Sequence, residues 1–418
     1  MGGVSVWDPI RLWAKILARE IVGVLDEGVV AERIGSTTNI AWPRLDDREH
    51  LTLASYAMHS RDSAGRKYPE PPHPYRGPFA RDRDRVLHSS AFRRLSGKMQ
   101  VFTGEMGIYH RTRLTHTFEV ASVARTLARV LRLNEDLTEA LALLHDIGHP
   151  PYGHCGEDVL RECLRDHGGF SHNRFALVLA EQLEQRYDRI PGLNLSLETL
   201  GGQDVRGHKA EAARGRAPLL EVQIVDAADS IAYDAHDVDD ALQLGLLSLS
   251  DLHPLRIIRR TLDRVEAKHG KVAPHRIRQT LVHELIDLQV GDLLGRSLDT
   301  LFPLQGRTAA EVCLEGVRLG HSDPLADERA ELEAFLFDAV YRHPRLMAVR
   351  RAAADRLRFL FETLVARTQR LPLRFRLRAS EMAPARAVGD YLAGMTDAFC
   401  DTQYRYARDG GGGPLADW

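Results

Sequence analysis

From about residue 80 to the end of the chain, apolar residues recur every three to four positions, and alternating runs of β-branched residues are scarce. That period matches one face of a helix and not one face of a strand, so the chain reads as all-α. Its 418 residues, 44% of them hydrophobic, suffice for one large or two ordinary domains around a sizeable core. Three stretches break the pattern. Arg61 to Pro78 holds Pro69, Pro71, Pro72 and Pro74 among charged residues and reads as an extended arm. Gly192 to Ala217 holds Gly201, Gly202, Gly207 and Gly215 and reads as a long irregular loop, of a kind that is more often functional than idle. Residues 406–418, with Gly410 to Gly413, read as a flexible tail.

Charge narrows the function classes. Lys and Arg number 56 against 58 acids, so no net field pulls the molecule toward nucleic acid or a membrane surface. A local basic cluster, Arg81, Arg83, Arg85, Arg93 and Arg94, reads as solvated helix charge or as an effector or interface groove. Near the N-terminus, Ile10, Trp13, Ile16 and Leu17 have helical spacing, but Asp8, Arg11, Lys15, Arg19 and Glu20 interrupt any signal-peptide or membrane segment. A cytoplasmic protein is the default expectation. The four cysteines lack CxxC spacing and read as reduced thiols.

The densest chemistry lies in Leu141-Ala-Leu-Leu-His-Asp-Ile-Gly-His-Pro-Pro-Tyr-Gly-His-Cys-Gly-Glu157. His145 and Asp146 end an apolar helix, and Gly148, Pro150 and Pro151 make a rigid turn after it. Asn134 is the expected N-cap of that helix, and His145 follows Leu141 by four, which points it inward. A preceding helix is expected over 115–131, with Val120, Val123 and Leu127 as its buried stripe. His116, four residues before Val120, shares that face. A third helix is expected from about Pro218, with Val222, Val225, Asp229, Ala232 and Tyr233 along one side. A carboxylate on an apolar face needs a cation, a hydrogen-bond network or a raised pKa. His116, His145, Asp146 and Asp229 therefore make a mixed imidazole and carboxylate set. It suits one six-coordinate divalent ion (Mn, Mg, Fe, Co or Ni) with positions open to water better than a closed structural zinc site.

These motifs, together with Arg81-Asp-Arg-Asp-Arg85, His88-Ser-Ser-Ala-Phe-Arg-Arg-Leu95, Arg111-Thr-Arg-Leu-Thr-His116, Pro191-Gly-Leu-Asn-Leu195, Asp229-Ser-Ile-Ala-Tyr-Asp-Ala-His-Asp237, Tyr341-Arg-His-Pro-Arg345 and Asp390-Tyr-Leu-Ala-Gly-Met-Thr-Asp397, resemble the HD-domain deoxynucleoside triphosphate triphosphohydrolases, the family of bacterial dGTPase and dGTPase-like proteins. The resemblance covers about Tyr56 to Cys400. It implies an atypical helical extension over 1–50, an N-terminal arm and first core helices over 51–110, a metal-binding catalytic core over 111–245, and a helical C-terminal region over 246–405.

The activity implied is hydrolysis of a dNTP, dGTP or several, at the α-phosphorus to deoxynucleoside and triphosphate. In that scheme His154 is the general acid and Glu157, one turn later, orients it. Arg113, His149 and His172 match phosphate-contacting positions, while Gln100, Tyr233 and Asp237 match sugar-contacting ones. Family members assemble as oligomers, so a homo-oligomer, tetramer or hexamer, is implied, and the resemblance also admits an allosteric dNTP or single-stranded DNA as a further partner. Two other readings stay open: an HD phosphohydrolase acting on a nucleoside monophosphate or cyclic nucleotide, and a non-catalytic regulator that binds nucleotide or single-stranded DNA.

Overall fold

A computed structural model describes residues 45–100, 111–207, 216–411 and 413–418. The expected extension over 1–50 thus falls outside the described residues as far as residue 44; from there Leu45–Thr52 is helical (α1). Among the described residues no strand forms, only three isolated bridges, and the all-α expectation holds. The helices used below are α2 (Pro78–Leu87), α3 (Arg113–Val130), α4 (Glu135–Leu144), α5 (Gly153–Cys163), α6 (His172–Val178), α7 (Leu197–Gly207), α8 (Leu220–Gln243), α9 (Arg256–His269), α10 (Pro274–Leu301), α11 (Asp323–Leu336), α12 (Pro344–Ala366), α13 (Leu373–Glu381), α14 (Pro384–Ala393) and α15 (Asp397–Arg408).

Local chemistry sets the helix starts. The Thr112 hydroxyl accepts from the Thr115 N–H and Thr115 reciprocates, a capping box that starts α3 at Arg113, two residues before the position read from the apolar stripe. Asn134 caps α4 as expected, its side chain accepting from the Leu137 N–H. α4 buries Leu137, Leu141 and Leu144 against α2, α3 and α8. Truncating any one of these leucines to alanine would cost about 2–5 kcal/mol.

α8 contributes to two hydrophobic cores. Its first half, with Val222, Val225, Ala228 and Ile231, belongs to the main core, shared with α3, α4 and the C-terminal helices. Its second half, with Ala235, Val238 and Ala241, belongs to a smaller core made with α9, α10 and α11. The polar residues Asp229, Tyr233 and Asp237 therefore run along a helix gripped at both ends. On the other side of the turn between α4 and α5, α12 packs against α5, α14 and α15.

Three expectations change. The stretch 192–217 is not one irregular loop: Leu197–Gly207 is the helix α7, packed on α4 and α6. Gly202 is there for close approach, since a Cβ on it would lie 2.6 Å from Leu141 Cδ2 and 2.8 Å from Val222 Cγ2. The tail is docked rather than loose. α15 continues to Arg408, Leu415 is buried, the Trp418 indole N–H donates to the Tyr391 carbonyl (2.8 Å), and its ring lies 4.1 Å from both the Arg94 and Arg374 guanidinium carbons. Buried aromatic area and cation–π contact outweigh the entropy of the glycines. The basic cluster is also largely spoken for: Arg81 and Arg85 pair with Glu70, Arg83 pairs with Asp136, and Arg85 donates to the carbonyls of Leu193 and Asn194. The proline-rich arm is pinned at its base, Arg66 donating to the Pro78 carbonyl and Glu198 of α7 accepting from the Ala64 N–H. No helix among the described residues is long and apolar enough to cross a membrane.

Candidate metal centre and active site

His116 enters from the first turn of α3, His145 and Asp146 from the end of α4, and Asp229 from the middle of α8. The donor atoms of His116, His145 and Asp146 lie within 4.8 Å of one another. Asp229 Oδ1 is 3.1 Å from His116 Nε2 and 3.6 Å from His145 Nε2, and His145 Nε2 is 3.6 Å from Asp146 Oδ1. The four residues read from three separate helices thus converge.

The donor set fits a divalent cation. His145 Nδ1 donates to the Ala142 carbonyl (2.6 Å), so the neutral ring carries its lone pair on Nε2. That Nε2 is buried, faces the two carboxylates and has no hydrogen-bond partner among the described residues. A buried, unpaired lone pair beside two carboxylates is a poor arrangement without a cation. Burial holds the His145 pKa down, which keeps the ring available as a ligand.

A supporting layer surrounds these four, and sequence reading missed most of it. Arg206, at the end of α7, donates from Nη2 to Asp229 Oδ2 (2.7 Å) and places Nη1 2.7 Å from Asp226. It thereby turns the other Asp229 oxygen toward the imidazoles. Burial alone would raise the Asp229 pKa, but His145, His116 and Arg206 outweigh it and hold the carboxyl well below the usual carboxylate range. Arg113 donates from Nη1 to Asp146 Oδ2 (2.8 Å). Against the same opposing burial, His149 and Arg113 keep Asp146 ionised. His116 Nδ1 lies 3.2 Å from His236 Nδ1, and His236 Nε2 meets the Glu119 carboxylate. Burial brings the His236 pKa down to about 4 despite that carboxylate.

Spacing carried a usable signal for two of these. His236 follows Asp229 by seven residues and Glu119 follows His116 by three, so each shares a face with a ligand. Arg206 carries no such signal, because the glycines around it read as a loop.

A second cluster adjoins the first through Asp146, whose Oδ1 is 3.0 Å from His149 Nδ1. The His149 and His172 rings lie 3.8 Å apart between centroids, and those of His149 and His154 lie 5.4 Å apart. Glu157 sits beneath them. It accepts from the His172 backbone N–H (3.0 Å) and lies 2.9 Å from His172 Nδ1 and 3.5 Å from His154 Nδ1. The expected His154–Glu157 pairing is present, yet Glu157 is held more closely by His172. Burial pushes against its ionisation, but hydrogen bonds from His154 and His172 leave the carboxyl well below its ordinary pKa.

His172 reaches the cluster because of Gly148. A Cβ there would stand 2.1 Å from the His172 carbonyl oxygen and 2.4 Å from the Ala176 nitrogen, so only glycine lets α6 approach the turn. The turn itself carries Tyr152 at φ 62°, fixed by Asp397 at the start of α15. One Asp397 oxygen accepts from the Tyr152 N–H (2.9 Å), the other from the Met99 N–H (3.1 Å).

The residues expected near a sugar are arranged around one that was not assigned. The Tyr341 hydroxyl donates to Asp237 Oδ2 (2.5 Å) and contacts the Tyr233 hydroxyl; the two tyrosine rings are parallel within 6°. Tyr341 thus bridges Tyr233 and Asp237. Burial raises the Asp237 pKa well above its ordinary value, and Oδ1 of this carboxyl has no partner among the described residues. Gln100 is buried with Oε1 likewise unpaired, its backbone carbonyl 3.4 Å from the Cβ position of Gly153. Arg113 keeps Nε and Nη2 unpaired behind its bond to Asp146.

Comparison with known families agrees with this geometry. Residues 113–234 match the HD domain and residues 319–406 match the phosphohydrolase-associated domain. Deoxyguanosinetriphosphate triphosphohydrolase-like proteins from Bordetella pertussis, Ralstonia pickettii and Brucella canis are 40%, 38% and 42% identical, each over 84% of this chain and 95%, 94% and 94% of the relative. The chain belongs to the deoxyguanosinetriphosphate triphosphohydrolase-like family. The HD match begins at Arg113 and ends at Asp234, so it contains the four convergent residues and the His149, His154, Glu157 and His172 cluster. Tyr341 and Asp397 lie in the second matched segment of this triphosphohydrolase-like chain.

Proposed function

We propose that this protein is a divalent-metal-dependent hydrolase that cleaves deoxynucleoside triphosphates at the α-phosphorus, releasing deoxynucleoside and intact triphosphate. The observation that carries the reading is the unpaired, buried His145 Nε2 facing Asp146 and Asp229 beside a cluster of three histidines on one carboxylate. His116, His145, Asp146 and Asp229 would hold the ion. Bound there, a divalent ion supplies Lewis acidity, making water acidic enough to attack near neutral pH and polarising a phosphoryl oxygen.

The chain's own residues supply the rest. Water oxygen bonds to the α-phosphorus, the bond from phosphorus to the 5′ oxygen breaks, and that oxygen needs a proton to leave as a hydroxyl. His154, partly solvent-exposed and tethered by Glu157, delivers it. His172, Glu157's nearer partner, shares that carboxylate and holds it against the His149 face. The free Nε and Nη2 of Arg113 and the rings of His149 and His172 face the polyphosphate. Asp237, whose pKa burial raises, offers its unpaired Oδ1 to a 3′-hydroxyl together with Gln100. The Tyr233 ring, locked by Tyr341, fills the space a 2′-hydroxyl needs.

The test is product analysis. Purified protein incubated with Mn or Mg and each dNTP, singly and mixed, should release tripolyphosphate and deoxynucleoside, resolved by ion exchange. Release of pyrophosphate or of monophosphate instead would overturn the assignment.

A further inference from the structure

We propose that Glu119 and His236 are positioning residues that fix His116 in the one tautomer able to ligate a cation. The inference rests on the metal reading above. His116 Nε2 is the atom turned toward Asp229 and the other donors, so a metal requires its lone pair there and its proton on Nδ1. Among the described residues, the group in contact with Nδ1 is His236 Nδ1, at 3.2 Å. Two facing imidazole nitrogens make a bond only if one carries hydrogen and the other does not.

Glu119 decides which. Its ionised carboxylate accepts only, so His236 must hold its proton on Nε2 to satisfy that contact. With that hydrogen on Nε2, His236 is left with Nδ1 to accept the His116 Nδ1–H that a cation on His116 Nε2 requires. His145 reaches the same state by a shorter route, its Nδ1–H on the Ala142 carbonyl. The two ligand imidazoles are therefore set by different devices: one by local backbone, the other by a two-step chain ending on a side chain that is 47% exposed at the rim. Glu119 is itself placed by Arg111, 3.5 Å away, and Arg111 stays anchored by Asp239 and Asp240 whether or not Glu119 is present.

Loss of an outer partner of a metal-bound histidine typically weakens metal affinity about 10–100-fold. The experiment is a Mn2+ binding isotherm on chelator-stripped full-length protein, with free Mn2+ read by electron paramagnetic resonance, alongside the melting temperature of the metal-free form. Glu119→Ala and His236→Phe should each weaken Mn2+ binding by about that factor. Glu119→Gln, which keeps a carbonyl acceptor for His236, should restore affinity to within a few-fold of the parent. Metal-free melting temperatures of Glu119→Ala and Glu119→Gln should agree, which a purely structural role for the carboxylate would not give. Unchanged Mn2+ affinity in both Glu119→Ala and His236→Phe overturns the proposal while leaving the metal reading intact. Absence of Mn2+ binding by the parent protein overturns the metal reading itself, and the proposal with it.

Discussion

The cluster of four proposed ligands and the histidine cluster beside it share Asp146 and His149 as a border but are built in opposite ways. His116 and His145 are each 1% exposed, come from helices with buried faces, and are held by bonds whose direction fixes the tautomer. His154 has 44% of its side chain exposed and a single long approach to Glu157. The difference suits the two proposed tasks. A ligand must keep one lone pair aimed at one point, whereas a proton donor must reload from solvent after each cycle. Rigidity in the first and access in the second are arranged along one short stretch from Asp146 to Glu157.

Substitutions can break that contrast in order of severity. Asp146→Asn should abolish Mn2+ binding and turnover together, measured by metal isotherm and tripolyphosphate release. Either change strands the buried Arg113 charge, at a cost of about 3–5 kcal/mol of stability, and Asp146→Ala removes its hydrogen-bond acceptor as well. Retention of metal by Asp146→Asn would dissolve the distinction between the clusters. His154→Ala should lower turnover by about 10²–10⁴-fold while binding Mn2+ as the parent does, with little effect on stability. Full activity in that variant would end its assignment as proton donor.

Glu157→Gln sharpens the comparison through pH. A carboxyl whose pKa is depressed on folding adds stability above its unfolded value, about 4.3, and that stability is lost as pH falls further. The acid limb of the melting-temperature profile should therefore be shallower in Glu157→Gln than in the parent below about pH 4.3; parallel limbs would contradict the depressed pKa. The smallest effect is expected from Tyr341→Phe. It removes the hydroxyl shared by Tyr233 and Asp237 and should relax dNTP-over-NTP discrimination by an amount corresponding to about 1 kcal/mol, read as a ratio of kcat/KM values.

What was readable beforehand divides along the same border. His116, His145 and Asp229 could be placed because each lies at a fixed interval from buried apolar residues on a long helix, and period alone gives the face. Arg206 could not, because glycines at 201, 202 and 207 argued for a loop. In the folded chain Gly202 lets α7 press against Leu141 and Val222 without ending the helix. His172 and Tyr341 came to view through motif resemblance only, since each reaches the centre from a separate segment, and no local period records a tertiary approach such as that permitted by Gly148. The docking of the tail is hidden for a related reason: its glycines are local, while the slot that receives Trp418 is assembled from Arg94, Arg374 and Tyr391.

Asp397 grips the turn at Tyr152 from 245 residues downstream. During synthesis, therefore, the segments carrying every proposed ligand emerge well before the residue that latches the left-handed turn beside them. A growing polypeptide of this kind therefore lacks the latch on this turn until the start of α15 has left the ribosome, so the placement of His154 proposed above is completed only late in synthesis.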